Sequence, residues 1–265
     1  MKLGILAVSF GTTHLDTLEK TVQAVEQDLS AAFPGAPLYR AFTSGMVRSR
    51  LKSKFDMDVD SVSEALARMR ADGVERAVVQ TTLLLPGEEF DLLCREVLAH
   101  AGPMKTALGL PLLWDDSDCS AIIDILRAVY PVEEDQALLL MGHGTRHAAN
   151  DLYLRLSQHM GALSGQMALC TIEGTPTFED AIETLKAQSK RRVRVAPLLL
   201  VAGDHAKNDM AGDAPDSLRR RLEAEGFQVA CDIRGLGEIP AVRERFVRRA
   251  RTAYETLNTD CGCMA

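Results

Sequence analysis

The chain has 265 residues, 46% of them hydrophobic and 25% charged, and a formal net charge of −7. That is enough apolar material for a sizeable core in one large or two smaller domains, and the acid excess argues against nucleic acid as the main partner. No stretch approaches the ~18 apolar residues of a membrane span, so no membrane partner is expected.

The N-terminal run LGILAVS is about seven residues long, flows into FGTTH and lacks a small-residue cleavage site, so it reads as a first strand rather than a signal peptide. A cytoplasmic location is the expectation. The periodicity then predicts helix over Leu15–Ala32, with Leu18, Val22, Val25 and Leu29 at helical spacing. Strands follow at Pro37–Phe42, Arg76–Thr82 and Lys105–Leu108, with helices at Val62–Ala71, Glu89–Ala101 and Ala121–Val129. Beyond residue 133 the same alternation resumes. Strands are predicted at Ala137–Met141, Met167–Thr171, Arg192–Ala196 and Phe227–Ala230, and helices at Asp151–Leu163, Phe178–Ala187, Pro215–Glu225 and Ile239–Leu257.

Strand then helix, repeated, predicts an α/β fold with parallel sheets covered on both faces and ligands beyond the carboxyl ends of the strands. Three strand-end loops recur in order. Aligning Gly11 with Gly144 sets Thr12 on Thr145, His14 on His147 and Phe10 on His143; aligning Gly45 with Gly174 sets Ser44 on Glu173. Aligning Gly87 with Gly203 sets Glu88 on Asp204 and Glu89 on His205. The expected architecture is therefore two similar doubly wound lobes, residues 1–133 and 134–265, with a cleft between them and the boundary near YPVEEDQ.

The second half carries metal-ligand chemistry on all three matched loops: His143, Glu173 and His205. Neighbouring strand ends lie about 5 Å apart, so two imidazoles and a carboxylate can converge there. That set suits a divalent first-row metal and leaves coordination positions open. Gly142 and Gly144 around His143 allow a sharp turn and close approach of a bulky ligand. His147, four residues after His143 but separated from it by Gly144, reads as a supporting or helix-entry residue. Glu88 and Glu89 read equally as cleft residues or as acids in a first helical turn. The basic run MVRSRLKSK reads as solvated surface in preference to an anion-binding rim. Of six cysteines, Cys94, Cys119, Cys170 and Cys231 are scattered and no CxxC occurs, while the DCGCMA tail with Cys261 and Cys263 offers either a soft-metal site or two exposed thiols.

Taken together, LAVSFGTTH, RAFTSGM, LLLPGEEF, LGLPLLW, MGHGTRH, EGTPTF, PLLLVAGDHAKNDMAGD and GLGEIPAVRERF resemble the anaerobic cobalt chelatases of cobalamin synthesis, the sirohydrochlorin cobaltochelatases of the class II chelatase group. The resemblance runs over nearly the whole chain. It implies a bilobal chelatase fold and insertion of Co²⁺ into sirohydrochlorin, an anionic tetrapyrrole, without ATP or another nucleotide. It carries the metal ligands over to His143, Glu173 and His205, with His143 also the proton acceptor. Phe10, Glu88, Glu89, Gly142 and Gly144 are assigned to tetrapyrrole contact, and Arg48, Arg50 and Arg146 are candidates for its carboxylates. Haem is not expected, because the haem-binding members carry a leader that this chain does not show. Insertion of Fe²⁺ toward sirohaem or of Ni²⁺, and a non-catalytic metal or tetrapyrrole carrier, are the alternatives. A histidine phosphotransfer enzyme is disfavoured because Met141 and Gly142, not arginine, precede His143. The sequence leaves a homo-oligomer open.

Overall fold

The structure, a computed structural model, describes residues 1–258. Cys261 and Cys263 lie outside the described residues. In chain order the elements are β1 (Leu3–Ser9), α1 (Leu15–Leu18) running through a π turn at Glu19–Gln23 into α2 (Ala24–Ala32), β2 (Leu38–Phe42), α3 (Gly45–Phe55), α4 (Val62–Ala71), β3 (Arg76–Thr81), α5 (Glu88–His100), β4 (Lys105–Gly109) and α6 (Asp116–Val129). There follow β5 (Gln136–Gly142), α7 (Asp151–Ser164), β6 (Met167–Thr171), α8 (Phe178–Ala187), β7 (Arg192–Pro197), a π turn at His205–Met210, α9 (Leu218–Ala224), β8 (Gln228–Cys231) and α10 (Pro240–Asn258).

The strands form two four-stranded sheets, ordered β2-β1-β3-β4 and β6-β5-β7-β8. Every pairing is parallel. The two orders are the same when the second set is renumbered from its own first strand, as the recurring loops predict. The loop after β1 and the loop after β5 also share a local device. His14 N–H donates to Thr12 Oγ1 and His147 N–H to Thr145 Oγ1, both at 3.1 Å. Gly11 and Gly144 both take positive φ, +99° and +79°.

Each unit satisfies a parallel sheet's need for cover on both faces. In the first, Leu6, Val8, Ala41 and Val79 bury against Leu66 and Met69 of α4 and Phe90 and Leu93 of α5. The second face is covered by α2 and α10. In the second unit, Leu139, Met141, Cys170 and Val195 bury against Ile182 and Leu185 of α8 and Leu222 of α9. Over the whole length of β5, Gln136–Gly142, every residue is buried.

The compact units are Met1–Leu112 with the C-terminal helix, and Leu113–Ile239. This differs from a division at 133/134. Helix α6 belongs with the second unit, where it packs on α7 and Asp116 accepts from Arg155 at 2.9 Å. Helix α10 returns to the first unit. Its Arg243 donates to Asp28 of α2 at 2.6 Å, its Asn258 accepts from Arg76 of β3 at 2.7 Å, and Tyr254 meets Phe33 edge-on.

Helix α6 starts at Asp116, earlier than Ala121, because Asp115 caps it in a reciprocal box with Asp118. Helix α3 occupies the basic run MVRSRLKSK. Two of its four cations meet acids, Arg48 with Glu64 and Lys52 with Asp56 and Asp58, and the helix lies at the surface. No helix among the described residues is long and apolar enough to cross a membrane.

Candidate metal centre

The second sheet brings the ends of β5, β6 and β7 side by side. Gly142 pairs with Thr171 and Met141 with Pro197, so His143 is the first residue beyond β5. The ladder then runs on past the strands: Ile172 N–H donates to Gly142 O at 3.1 Å and Glu173 N–H to His143 O at 2.7 Å. His205 opens the π turn that follows the loop after β7.

The imidazoles of His143 and His205 lie with ring centroids 5.0 Å apart, edge to face at 80°. Both Nδ1 atoms are engaged. That of His143 lies 3.0 Å from Gly144 O, and that of His205 lies 2.6 Å from Asp209 Oδ2. A carbonyl and a carboxylate only accept, so in each neutral ring Nδ1 carries the proton and Nε2 keeps its lone pair. Each ring thus keeps an Nε2 able to ligate a metal.

Glu173 is placed differently. Its main chain is pinned against His143 and Gly144, while its side chain is exposed. Among the described residues no three His, Cys, Asp or Glu side chains stand close enough together to hold a metal, so the structure brings together the two histidines and not the carboxylate.

The glycines of MGHG serve the loop itself. A Cβ on Gly142 would fall 2.7 Å from the ring of Tyr153, and one on Gly144 would fall 2.0 Å from Glu173 O. Tyr153 of α7 is buried beneath the loop. Burial pushes its pKa up to about 12, against the opposing effect of the Gly144 and His143 main chain. Asn150 ties the loop to the next strand end, its Oδ1 accepting from Thr145 N–H at 3.2 Å and its Nδ2 donating to Thr175 O at 2.9 Å. Gly174, at φ +132°, passes so close to Asn150 that a Cβ would come within 2.6 Å of Oδ1.

His147 caps the short turn Ala148–Asn150, its Nδ1 accepting from Ala149 N–H at 3.1 Å, and so enters a helix rather than ligating. Phe10, Glu88 and Glu89 belong to the first unit. Phe10 is 48% exposed at the end of β1, and the two glutamates sit in the first turn of α5 behind the N-cap Gly87. Sequence reasoning passed over Tyr153, Asn150 and Asp209. Only Asp209 carried a signal, its place four residues after His205, on the same helical face.

The chain matches a family model described as "Cobalt chelatase (CbiK)" over residues 3–255. It is 36% identical over 255 residues to a sirohydrochlorin cobaltochelatase of Salmonella typhimurium, covering 96% of this chain and 97% of that one. It is 33% identical over 262 residues to sirohydrochlorin cobaltochelatase CbiKC of Nitratidesulfovibrio vulgaris, covering 97% and 92%. Among solved structures, SirB from Bacillus subtilis with Fe³⁺ superposes with a TM-score of 0.67 at 15% identity, covering 98% of each chain. CbiX, described as the terminal enzyme of sirohaem biosynthesis in denitrifying bacteria, superposes with a TM-score of 0.58 at 16% identity, covering 96% of this chain and 99% of that one. These two likenesses show the shared fold.

Proposed function

The chain belongs to the cobalt chelatase (CbiK) family, and from that premise we propose that it inserts Co²⁺ into sirohydrochlorin through the histidine pair His143 and His205. The enzyme is a sirohydrochlorin cobaltochelatase, a lyase-type chelatase acting in anaerobic cobalamin synthesis, and it uses no nucleotide. Co²⁺ is its substrate. Sirohydrochlorin enters as the free macrocycle and leaves as the metal complex, with two pyrrole protons released.

The observation that carries the site is the close approach of the two imidazole rings, each with Nδ1 engaged elsewhere. Two imidazoles bound to one ion at about 2.0–2.1 Å and a near-tetrahedral angle have centroids about 5 Å apart. The observed separation is 5.0 Å. Two protein ligands hold a metal loosely enough to pass it on, and the remaining positions keep exchangeable water. Glu173 is the third ligand in this reading. Its backbone is fixed at the adjoining strand end beside His143, and its side chain is exposed.

The macrocycle must lose its pyrrole protons as the metal enters. Once the ion leaves His143 for the ring nitrogens, Nε2 has a free lone pair and can accept a proton. His143 therefore ligates first and accepts a proton afterwards. Arg146, exposed beside His147, offers a cation to the carboxylates of the macrocycle. Cys94, Cys119, Cys170 and Cys231 are all free thiols, which supports the cytoplasm as the location.

Anaerobic assays with catalytic protein, sirohydrochlorin and Co²⁺, Ni²⁺ or Fe²⁺ in parallel test this reading through the absorbance change on insertion. Many turnovers with Co²⁺, at a higher rate than with Fe²⁺, are expected. One equivalent bound without turnover would instead mark a carrier, and faster Fe²⁺ insertion would move the enzyme to sirohaem synthesis.

A further inference from the structure

The π turn at His205–Met210 does something for His205 that its own strand end does not. His143 finds an acceptor for Nδ1 in the carbonyl of the next residue. His205 has instead the side chain of Asp209, at 2.6 Å. The two residues lie four apart in this turn, on one face, and the turn closes with Ala211 N–H reaching back five residues to Ala206 O. The pair is i,i+4 and half exposed on both sides, 47% for His205 and 46% for Asp209, so it contributes little to folding stability. An ion-pair-capable contact this short, held by an unusual turn and of small stabilising value, needs another purpose.

We propose that Asp209 is a positioning residue for metal transfer: it accepts the Nδ1 proton of His205, fixes the ring's orientation, and keeps Nε2 unprotonated and aimed at the ion shared with His143. This rests on the reading of the histidine pair as the metal entry site. A carboxylate behind a ligating imidazole also raises its basicity, and loss of such a partner typically weakens metal binding 10–100-fold. Asp209 does not touch the metal or the macrocycle in this scheme.

The test uses the full chain and Co²⁺ alone as probe. Histidine ring ¹⁵N shifts, with His205 assigned from His205→Ala, report which nitrogen carries the proton, and anaerobic titration reports Co²⁺ affinity from the visible bands. In the parent, Nδ1 of His205 is expected to be protonated. In Asp209→Ala the proton is expected to spread to Nε2, and the Kd for Co²⁺ to rise about 10–100-fold. Asp209→Asn, which keeps an acceptor oxygen at the same place, is expected to recover part of both. A parent-like tautomer or a parent-like Kd in Asp209→Ala overturns the proposal. Failure of the site reading itself would look different: His205→Ala would then bind Co²⁺ as the parent does.

Discussion

At the scale of residues, the site is a backbone problem before it is a metal problem. His143 can stand at the tip of β5 only because the residues on either side have no side chain. Gly144 sits at φ +79°, and the place for its Cβ is taken by Glu173 O. Gly144→Ala is therefore expected to cost upward of about 2 kcal/mol, the left-handed penalty plus the displacement of a neighbouring strand end. Urea unfolding would show this as a lower midpoint, and an unchanged midpoint would contradict it. Tyr153 makes a second case. Its ring is buried beneath the loop, and the Cβ absent from Gly142 would fall 2.7 Å from it. Tyr153→Phe removes a buried hydroxyl at that place and is expected to cost about 1 kcal/mol and to lower insertion rates with the histidines untouched. Parent-like stability and rate in that variant would show that the loop holds its own shape.

At the scale of elements, one largely buried ion pair ties β2 to α2 in the first unit. Arg40 of β2 forks both carboxylate oxygens of Glu26 of α2, with Arg40 Nε at 2.7 Å from Oε1. The Glu26 side chain is only 7% exposed. The hydrogen bond to Glu26 raises the pKa of Arg40 against the opposing effect of burial. Arg40→Ala strands a buried carboxylate and is expected to destabilise by about 3–5 kcal/mol, whereas the double change Arg40→Met with Glu26→Gln recovers most of it. Thermal or urea unfolding of the three proteins checks this, and a single variant as stable as the double would refute it. The elements also show what the sequence makes legible. Leu3–Ser9, Met167–Thr171, Val62–Ala71 and Phe178–Ala187 stand where periodicity and capping residues put them. Helix α3 escaped because only Leu51 of its residues is buried, so no apolar stripe marks it. The π turn at His205–Met210 has no compositional sign at all.

At the scale of the whole molecule, the recurring loops disclosed two sheets of one topology, and the residue alignment singled out His143 and His205, whose rings lie 5.0 Å apart. The course of the last helix was not disclosed. The stripe Val242, Phe246, Val247, Ala250 and Ala253 announces a buried face but not which sheet it buries. The contacts of α10 with β3, β4 and α2 assign it to the first. The same limit hid Tyr153 and Asn150, whose partners are fixed by the packing of α7 under the loop. A chain ending before Pro240 is therefore expected to lose hydrogen-exchange protection across β1–β4 and keep it across β5–β8. Protection kept in both sheets would contradict the assignment of α10.

The central claim is that His143 and His205 pass Co²⁺ into sirohydrochlorin. The most direct measurement is the anaerobic insertion rate of His143→Ala and His205→Ala beside the parent, at saturating Co²⁺ and macrocycle. Saturating metal removes a mere loss of affinity, so the rate reports transfer and proton acceptance. The account predicts multiple turnovers in the parent and a drop of at least about 100-fold in His143→Ala, which loses ligand and base together, with a smaller drop in His205→Ala. Parent-like rates in both variants would contradict it and place the transfer site elsewhere on the chain.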